Sequence, residues 1–447
     1  MTFPINDLTP VSHAGPLPDA TDVVVIGGGI IGVMTAWELA KRGVAVTLLE
    51  KGRIAGEQSS RNWGWIRAQG RDLAEMPIML DAQAMWPEIA KSVDTDIGLQ
   101  QTGTLYLTDK PSEIDRYEKW VHDTAGFQLS SRILTTKQIA DLVPDAARSW
   151  TRALYTPTDY RAEPWVTVPA MARAAVAAGA QIIEDCAVRL LDITNGQITG
   201  VFTERGRIAA QRVVLAGGSW SSLFLRRHGV AIPQLSVRAT VAATDPLPLV
   251  HDGGALSDKF SFRRRADGGY TLAPSGFQEL FVGPDAFRAL RAFVPQLIED
   301  PFGTRLLPMS PKGYPDAWGT SRTWRADDVS PFEKQRILNP KPNAAKVAKL
   351  ARDFQATFPS LGAVSIKTAW AGMIDSMPDM VPVVDQCDAI GGLTICTGMC
   401  GHGFGIGPAF GRINAKLAMG EQSGHDLTRF SLSRFSDGRA LARGPDL

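Results

Sequence analysis

Cysteine is scarce. The chain has four in 447 residues, too few for the disulfide framework of a secreted scaffold, which points to a reducing compartment. A surplus of either charge is also missing: 47 Lys and Arg face 46 Asp and Glu, a formal net charge of +1. That balance gives no electrostatic reason to expect nucleic acid or an anionic membrane as the main partner. No apolar run approaches the roughly 18 residues that a transmembrane helix needs. Residues 1–20 lack the basic start and apolar core of a signal peptide. Internal repeats and low-complexity tracts are absent. The composition, 44% hydrophobic and 21% charged, can bury a sizeable core, and the length allows two or three domains. A globular, cytoplasmic protein is expected.

The first strong element is Val23-Val24-Val25-Ile26, a short, unbroken β-branched run of the kind buried on both faces of a parallel sheet. Residues 30–41 are helical in composition, Gly43 suits a C-terminal cap, and 44–49 form a second apolar run closed by Glu50. The three make a β-α-β unit. Strand–glycine–helix patterns recur at 212–220 and 393–420. Residues 166–184 read as a helix and a short strand, and 187–203 as strands around an Asn195-Gly196 turn. Helices are expected at 284–299 and 343–357.

Gly27-Gly28-Gly29-Ile30-Ile31-Gly32 matches G-x-G-x-x-G between that first strand and helix. The first glycine allows a tight turn, the second lets the backbone approach a pyrophosphate, and the third lets helix and strand pack closely. Exposed N–H groups and the helix dipole then attract phosphate. Glu50 can accept hydrogen bonds from an adenosine ribose and would repel the 2′-phosphate of NADP. A glycine-rich turn without ligand is the plain alternative, disfavoured by the coincidence of strand, fingerprint, helix and acid. After Glu50, where an NAD enzyme usually starts its next helix, this chain has GRIAGEQSSRNWGWIRAQGRD. Ser59, Ser60 and Asn62 there can donate to phosphate and ribitol oxygens, and Trp63 and Trp65 ill suit a solvated loop.

Taken with RVVLAGGSWS, WAGMIDSMPDMVPVVD, TGMCGHGFGIGPAFG and HDLTRFSLSRF, in that order, these strings resemble the FAD-dependent amine and amino-acid oxidoreductases of the D-amino acid oxidase, glycine oxidase and sarcosine oxidase superfamily. The resemblance implies a mixed α/β fold, with a Rossmann-like FAD-binding domain interleaved with a mixed-sheet substrate domain. The first would span 21–85, 156–235 and 366–425, and the second 86–155 and 236–365. Residues 1–20 would form an extended arm and 426–447 a C-terminal tail. By the same resemblance Gly27, Gly28, Gly29, Ile30, Gly32, Glu50 and Lys51 hold the ADP half of FAD. Ser59, Ser60, Arg61, Asn62 and Gly64 lie along the pyrophosphate and flavin. Val188 meets the adenine through its backbone, and Gly217 with Trp220 supports the cofactor. Gly401, His402, Gly403, Phe404 and Gly405 face the flavin pyrimidine. Pro408 suits the first turn of a helix, which would aim the preceding N–H groups at the ring, where reduced flavin carries negative charge. Covalent members of the sarcosine oxidase branch carry a flavin-linking cysteine where this chain has Gly372, so non-covalent FAD is expected.

The implied reaction is oxidation of the C–N bond of an amino acid or N-substituted amino acid. The α-hydrogen passes as hydride to flavin N5 and the imine hydrolyses. Oxygen ranks first as electron acceptor, and a quinone or another protein second. Gly405 and Thr271 stand where the sarcosine oxidase branch has lysines, which counts against sarcosine itself. Arg67 falls where sarcosine oxidases bind the substrate carboxylate, a ligand that suits a guanidinium fork; the plain alternative is an ion pair with Asp72. His402 is the second candidate at the reacting end, its alternative a hydrogen-bonding spacer in a glycine turn. Arg263, Arg264, Arg322 and Arg325 read as structural or surface charges. Cys396, Cys400 and His402 lack a fourth nearby ligand, so no metal is expected. With no second fingerprint bearing a redox cysteine pair and no G-x-S-x-G elbow, disulfide reduction and serine catalysis are set aside. Phe287, Leu290, Val294 and Leu297 recur at helical spacing and are expected to pack into the core.

Overall fold

The computed structural model describes residues 3–299, 303–442 and 444. Six strands form one sheet in the order 383–386, 393–397, 212–215, 23–26, 46–49 and 181–183. Every adjacent pair is parallel except the first. The runs VVVI, VTLL and LTICT are apolar without alternation because both faces of the sheet are covered. Val23 and Val25 pack among the helices Ile30–Ala40, Pro164–Ala177 and Gly403–Ala418. Val24, between them in sequence, packs on the opposite side with Leu190, Val201 and Ile208 from an antiparallel three-stranded sheet. The helix Ile30–Ala40 is buried along its whole length.

A second sheet takes strands from 104–108, 132–135, 152–156, 235–307 and 366–376. Its backbone is the antiparallel ladder of Leu235–Thr244 with Ile366–Ser376. Ala239–Val241 with Gly372, Ile374 and Asp375 on this ladder line a cavity that also takes in the carboxyl ends of strands 23–26 and 212–215. That is the end of a parallel sheet where ligands bind in doubly wound folds. The N-terminal arm is docked: Phe3 stacks on Trp165 with ring centroids 4.3 Å apart, and Ile5 is buried. In the tail, Arg429 and Arg434 each reach the buried Asp379 at 2.9 Å.

Two expectations are corrected. The last long helix begins at Gly403, five residues before Pro408, which lies inside it. A proline there forfeits one backbone bond, and the helix tolerates it because it is locked against Ile30–Ala40, where Gly411 lies directly over Met34. The stripe on helix Pro284–Glu299 is also not core: Phe287, Leu290, Val294 and Leu297 are 40–61% exposed, whereas Ala289 and Phe293 are 5% and 7%. The helix packs the face bearing Ala286, Ala289, Ala292 and Phe293 against Leu235 and Leu280. Among the described residues, no helix is long and apolar enough to cross a membrane.

Candidate active site

The cavity holds about 470 Å³, within the usual size of ligand sites. At one end lies the glycine fingerprint. Gly27 has φ +109°, and a Cβ on Gly32 would stand 1.9 Å from the Gly27 carbonyl oxygen. Strand and helix cross so closely that only glycine fits. Gly29 is the N-cap of helix Ile30–Ala40, with no capping side chain and no acid in the first turn. Ser59 Oγ accepts from the Ile30 amide at 2.9 Å. Glu50 accepts from the amides of Gly28 and Gly52, each at 2.6 Å. Burial raises its carboxyl, with Lys51 opposing. This open helix start, glycine turn and terminal acid fit a dinucleotide.

Most residues expected to hold the cofactor line this one cavity, but their side chains are not all free for it. Lys51 pairs with Glu57 at 3.0 Å and lies 4.3 Å over the Trp220 ring, whose Nε1 donates to the same Glu57 at 3.0 Å. Arg61 gives every guanidinium nitrogen to protein acceptors on Ile5, Gly56, Asn339 and Ala371. Asn62 caps its own turn through Gly64. Val188, Gly217 and Gly372 reach the wall. Gly32, Ser60, Gly64 and Gly405 do not. Gly64 allows close passage of Ala162, and Gly405 of Ile66.

At the other end the wall is formed by Gly401, His402, Gly403 and Phe404 at the start of the last long helix, with Arg67 and Arg71 beside them. Among the described residues Arg67 has no carboxylate within ion-pair distance. Its guanidinium donates to the Gln69 carbonyl and lies 5.6 Å over the Tyr106 ring. Asp72, the alternative partner, pairs with Arg429 at 3.5 Å. Behind Arg67, Asp159 accepts from Ala68 N at 2.7 Å and Gln83 Nε2 at 3.0 Å, and burial pushes its carboxyl up to about 6. His402 Nδ1 is buried without a partner. Burial and the two guanidinium groups hold the imidazole well below its usual range, so it is neutral.

Two residues were missed. Asp375 takes the amides of Gly398 and Met399 at 2.8 and 3.3 Å on Oδ2, while Oδ1 is buried without a partner. Arg71 is 1% exposed and yet reaches the wall. Both stand within the strings quoted above, but only their tertiary neighbours mark them. Trp63, Trp65, Phe277, Gln278 and Gln296 also line the cavity. Arg263 is structural: fully buried, it makes a bidentate pair with Glu163 at 2.9 and 3.0 Å. Thr271 is buried away from the cavity, and Cys396 and Cys400 are buried thiols pushed up by burial.

Residues 22–417 match the model of the FAD dependent oxidoreductase family. The chain resembles the solved L-amino acid deaminase from Proteus myxofaciens in complex with anthranilate, with a TM-score of 0.91, 30% identity and 97% of each chain covered. It is 25% identical to glycine oxidase from Geobacillus kaustophilus over 92% of this chain and 97% of that one. Mouse mitochondrial sarcosine dehydrogenase is 27% identical over 61% of this chain, which spans only 31% of that protein. The chain belongs to the FAD dependent oxidoreductase family. It is an enzyme with FAD as its cofactor, as the motifs implied.

Proposed function

We propose that this member of the FAD dependent oxidoreductase family oxidises the C–N bond of an amino acid or N-substituted amino acid to an imine that hydrolyses. The observation that carries the reading is Arg67, a guanidinium in the wall of the cofactor cavity with no carboxylate partner among the described residues. It would grip a substrate carboxylate through a two-pronged charge-assisted bond. Bound FAD supplies the two-electron acceptor for the α-hydrogen. The two guanidinium groups of Arg67 and Arg71 disfavour an ammonium ion beside them, so the amine is bound neutral and no strong base is needed. The first-turn amides of helix Gly403–Ala418 favour negative charge gained by the cofactor. Gly372 stands where the sarcosine oxidase branch has its flavin-linking cysteine, and the cavity-lining Cys396 and Cys400 are thiols that burial keeps protonated, so FAD is held without a covalent bond and acid precipitation should leave the yellow colour in solution.

The test is anaerobic mixing of the purified holoenzyme with D-, L- and N-alkyl amino acids. Bleaching of the flavin bands by one of these classes is expected; bleaching by none would move the donor off the C–N bond. Admitting air then identifies the acceptor, and fast return of colour is expected of an oxidase. A second reading, transfer to a quinone or protein, is favoured by one feature: helix Pro284–Glu299 puts Gln296 in the cavity wall and leaves Phe287 and Leu290 exposed. Slow recovery in air with fast recovery on a soluble quinone would establish it.

A further inference from the structure

Arg71 is held in place by backbone carbonyls rather than by an acid. Its Nε donates to the Arg67 carbonyl at 3.1 Å and its Nη2 to the His402 carbonyl at 2.9 Å. These bonds tie the guanidinium to both candidate residues of the reacting end. Its Nη1 is buried and has no hydrogen-bond acceptor among the described residues. Glu75 Oε2 lies 3.7 Å from that nitrogen, close enough for ionic attraction and too far to accept a hydrogen bond. Glu75 itself does not line the cavity. A buried N–H without an acceptor is unfavourable, and Arg71 brings to the cavity wall a positive charge to which no acid among the described residues is hydrogen-bonded, a setting that favours an anion there.

We propose that Arg71 is the second half of the carboxylate clamp. The substrate carboxylate lies between Arg67 and Arg71 and takes N–H donors from both, while Glu75 sets the strength of the grip as the counter-ion of Arg71. This rests on the reading that the substrate carries a carboxylate at the Arg67 end. The division of labour follows from the contacts. Arg67 is the half-buried, adjustable arm, whereas Arg71 is fixed by two carbonyls and gives the anion a defined direction. His402, whose backbone carbonyl is one of those anchors, is thereby placed against the same ligand.

The experiment is titration of benzoate into the FAD-loaded enzyme, followed by the perturbation of the flavin absorbance. Arg71→Met should weaken benzoate about tenfold, the loss of one charge-assisted bond. Glu75→Gln, nearly isosteric, should tighten it by roughly threefold by removing the competing charge. An unchanged dissociation constant in Arg71→Met with flavin still bound overturns the proposal. If Arg71→Met yields no folded holoenzyme, Glu75→Gln decides alone: tighter binding supports the clamp and unchanged or weaker binding overturns it. Arg67→Ala separates the two levels. Should it leave benzoate unaffected, or should the wild type not bind benzoate, the carboxylate reading itself falls, whereas a loss in Arg67→Ala with none in Arg71→Met removes only Arg71.

Discussion

The two ends of the cavity are built on opposite plans. At the fingerprint end the side chains that line the cavity are largely satisfied by the protein, and an idle hydroxyl nearby, Ser60 Oγ, is buried off the wall. Glu50 accepts from two amides, Ser59 accepts from the Ile30 amide, Lys51 and Trp220 share Glu57, and Arg61 has all its nitrogens engaged. What is left for the ligand is backbone. At the reacting end buried polar atoms stand idle, namely Arg71 Nη1, His402 Nδ1 and Asp375 Oδ1. The cofactor is therefore received by a frame that is complete without it. The substrate end holds hydrogen-bonding capacity in reserve, and a ligand is what completes it.

The largest effect should come from breaking the frame. Gly32→Ala would place a methyl group 1.9 Å from the Gly27 carbonyl oxygen, and neither strand nor helix can yield, because both are buried on all sides. A loss of about 3 kcal/mol in stability is expected, together with loss of flavin. Thermal unfolding and the ratio of flavin to protein absorbance measure both. A fully flavinated Gly32→Ala protein would show that the crossing is looser than the geometry implies. By contrast, Arg67→Ala should leave flavin content and stability nearly intact. It should cost roughly 100-fold in kcat/KM for a carboxylate substrate, the size of a lost charge-assisted pair, and much less for an amine without a carboxylate. Equal losses for the two would remove Arg67 from substrate binding.

The same contrast explains what could be read from the chain before the fold was known. The fingerprint is legible because its physics is local: a turn, a close crossing and a helix start need glycines at fixed spacing over six residues. Arg67 was legible only through resemblance. Arg71 and Asp375 were not legible, because what singles them out is a carbonyl at 402 and amides at 398 and 399, far away in sequence. The start of the last helix was misplaced because the rule that puts proline in the first turn is silent on a glycine-rich turn preceding it. Periodicity correctly marked helix 284–299, but that helix has two apolar faces. Only packing chose the one bearing Ala289 and Phe293.

The smallest of these effects tests whether the reserve at the substrate end carries a stability penalty. Asp159 is fully buried behind Arg67, and its carboxyl is raised from 3.8 to about 6, chiefly by burial. The folded protein therefore binds this proton more tightly than the unfolded chain does. Stability from this group is greatest below the unfolded value and declines as pH rises through about 6. Over the window from pH 4 to pH 6 the decline should amount to about 2 kcal/mol. Asp159→Asn keeps an oxygen for the Ala68 amide and the Gln83 side chain but cannot ionise. Its unfolding free energy should therefore fall less steeply than the wild type's across that window, the two curves diverging by that amount. Parallel curves would mean that the carboxylate is stabilised in place, and that Arg67 is already neutralised without a substrate. In that case the two ends of the cavity would differ less in plan than their idle atoms suggest.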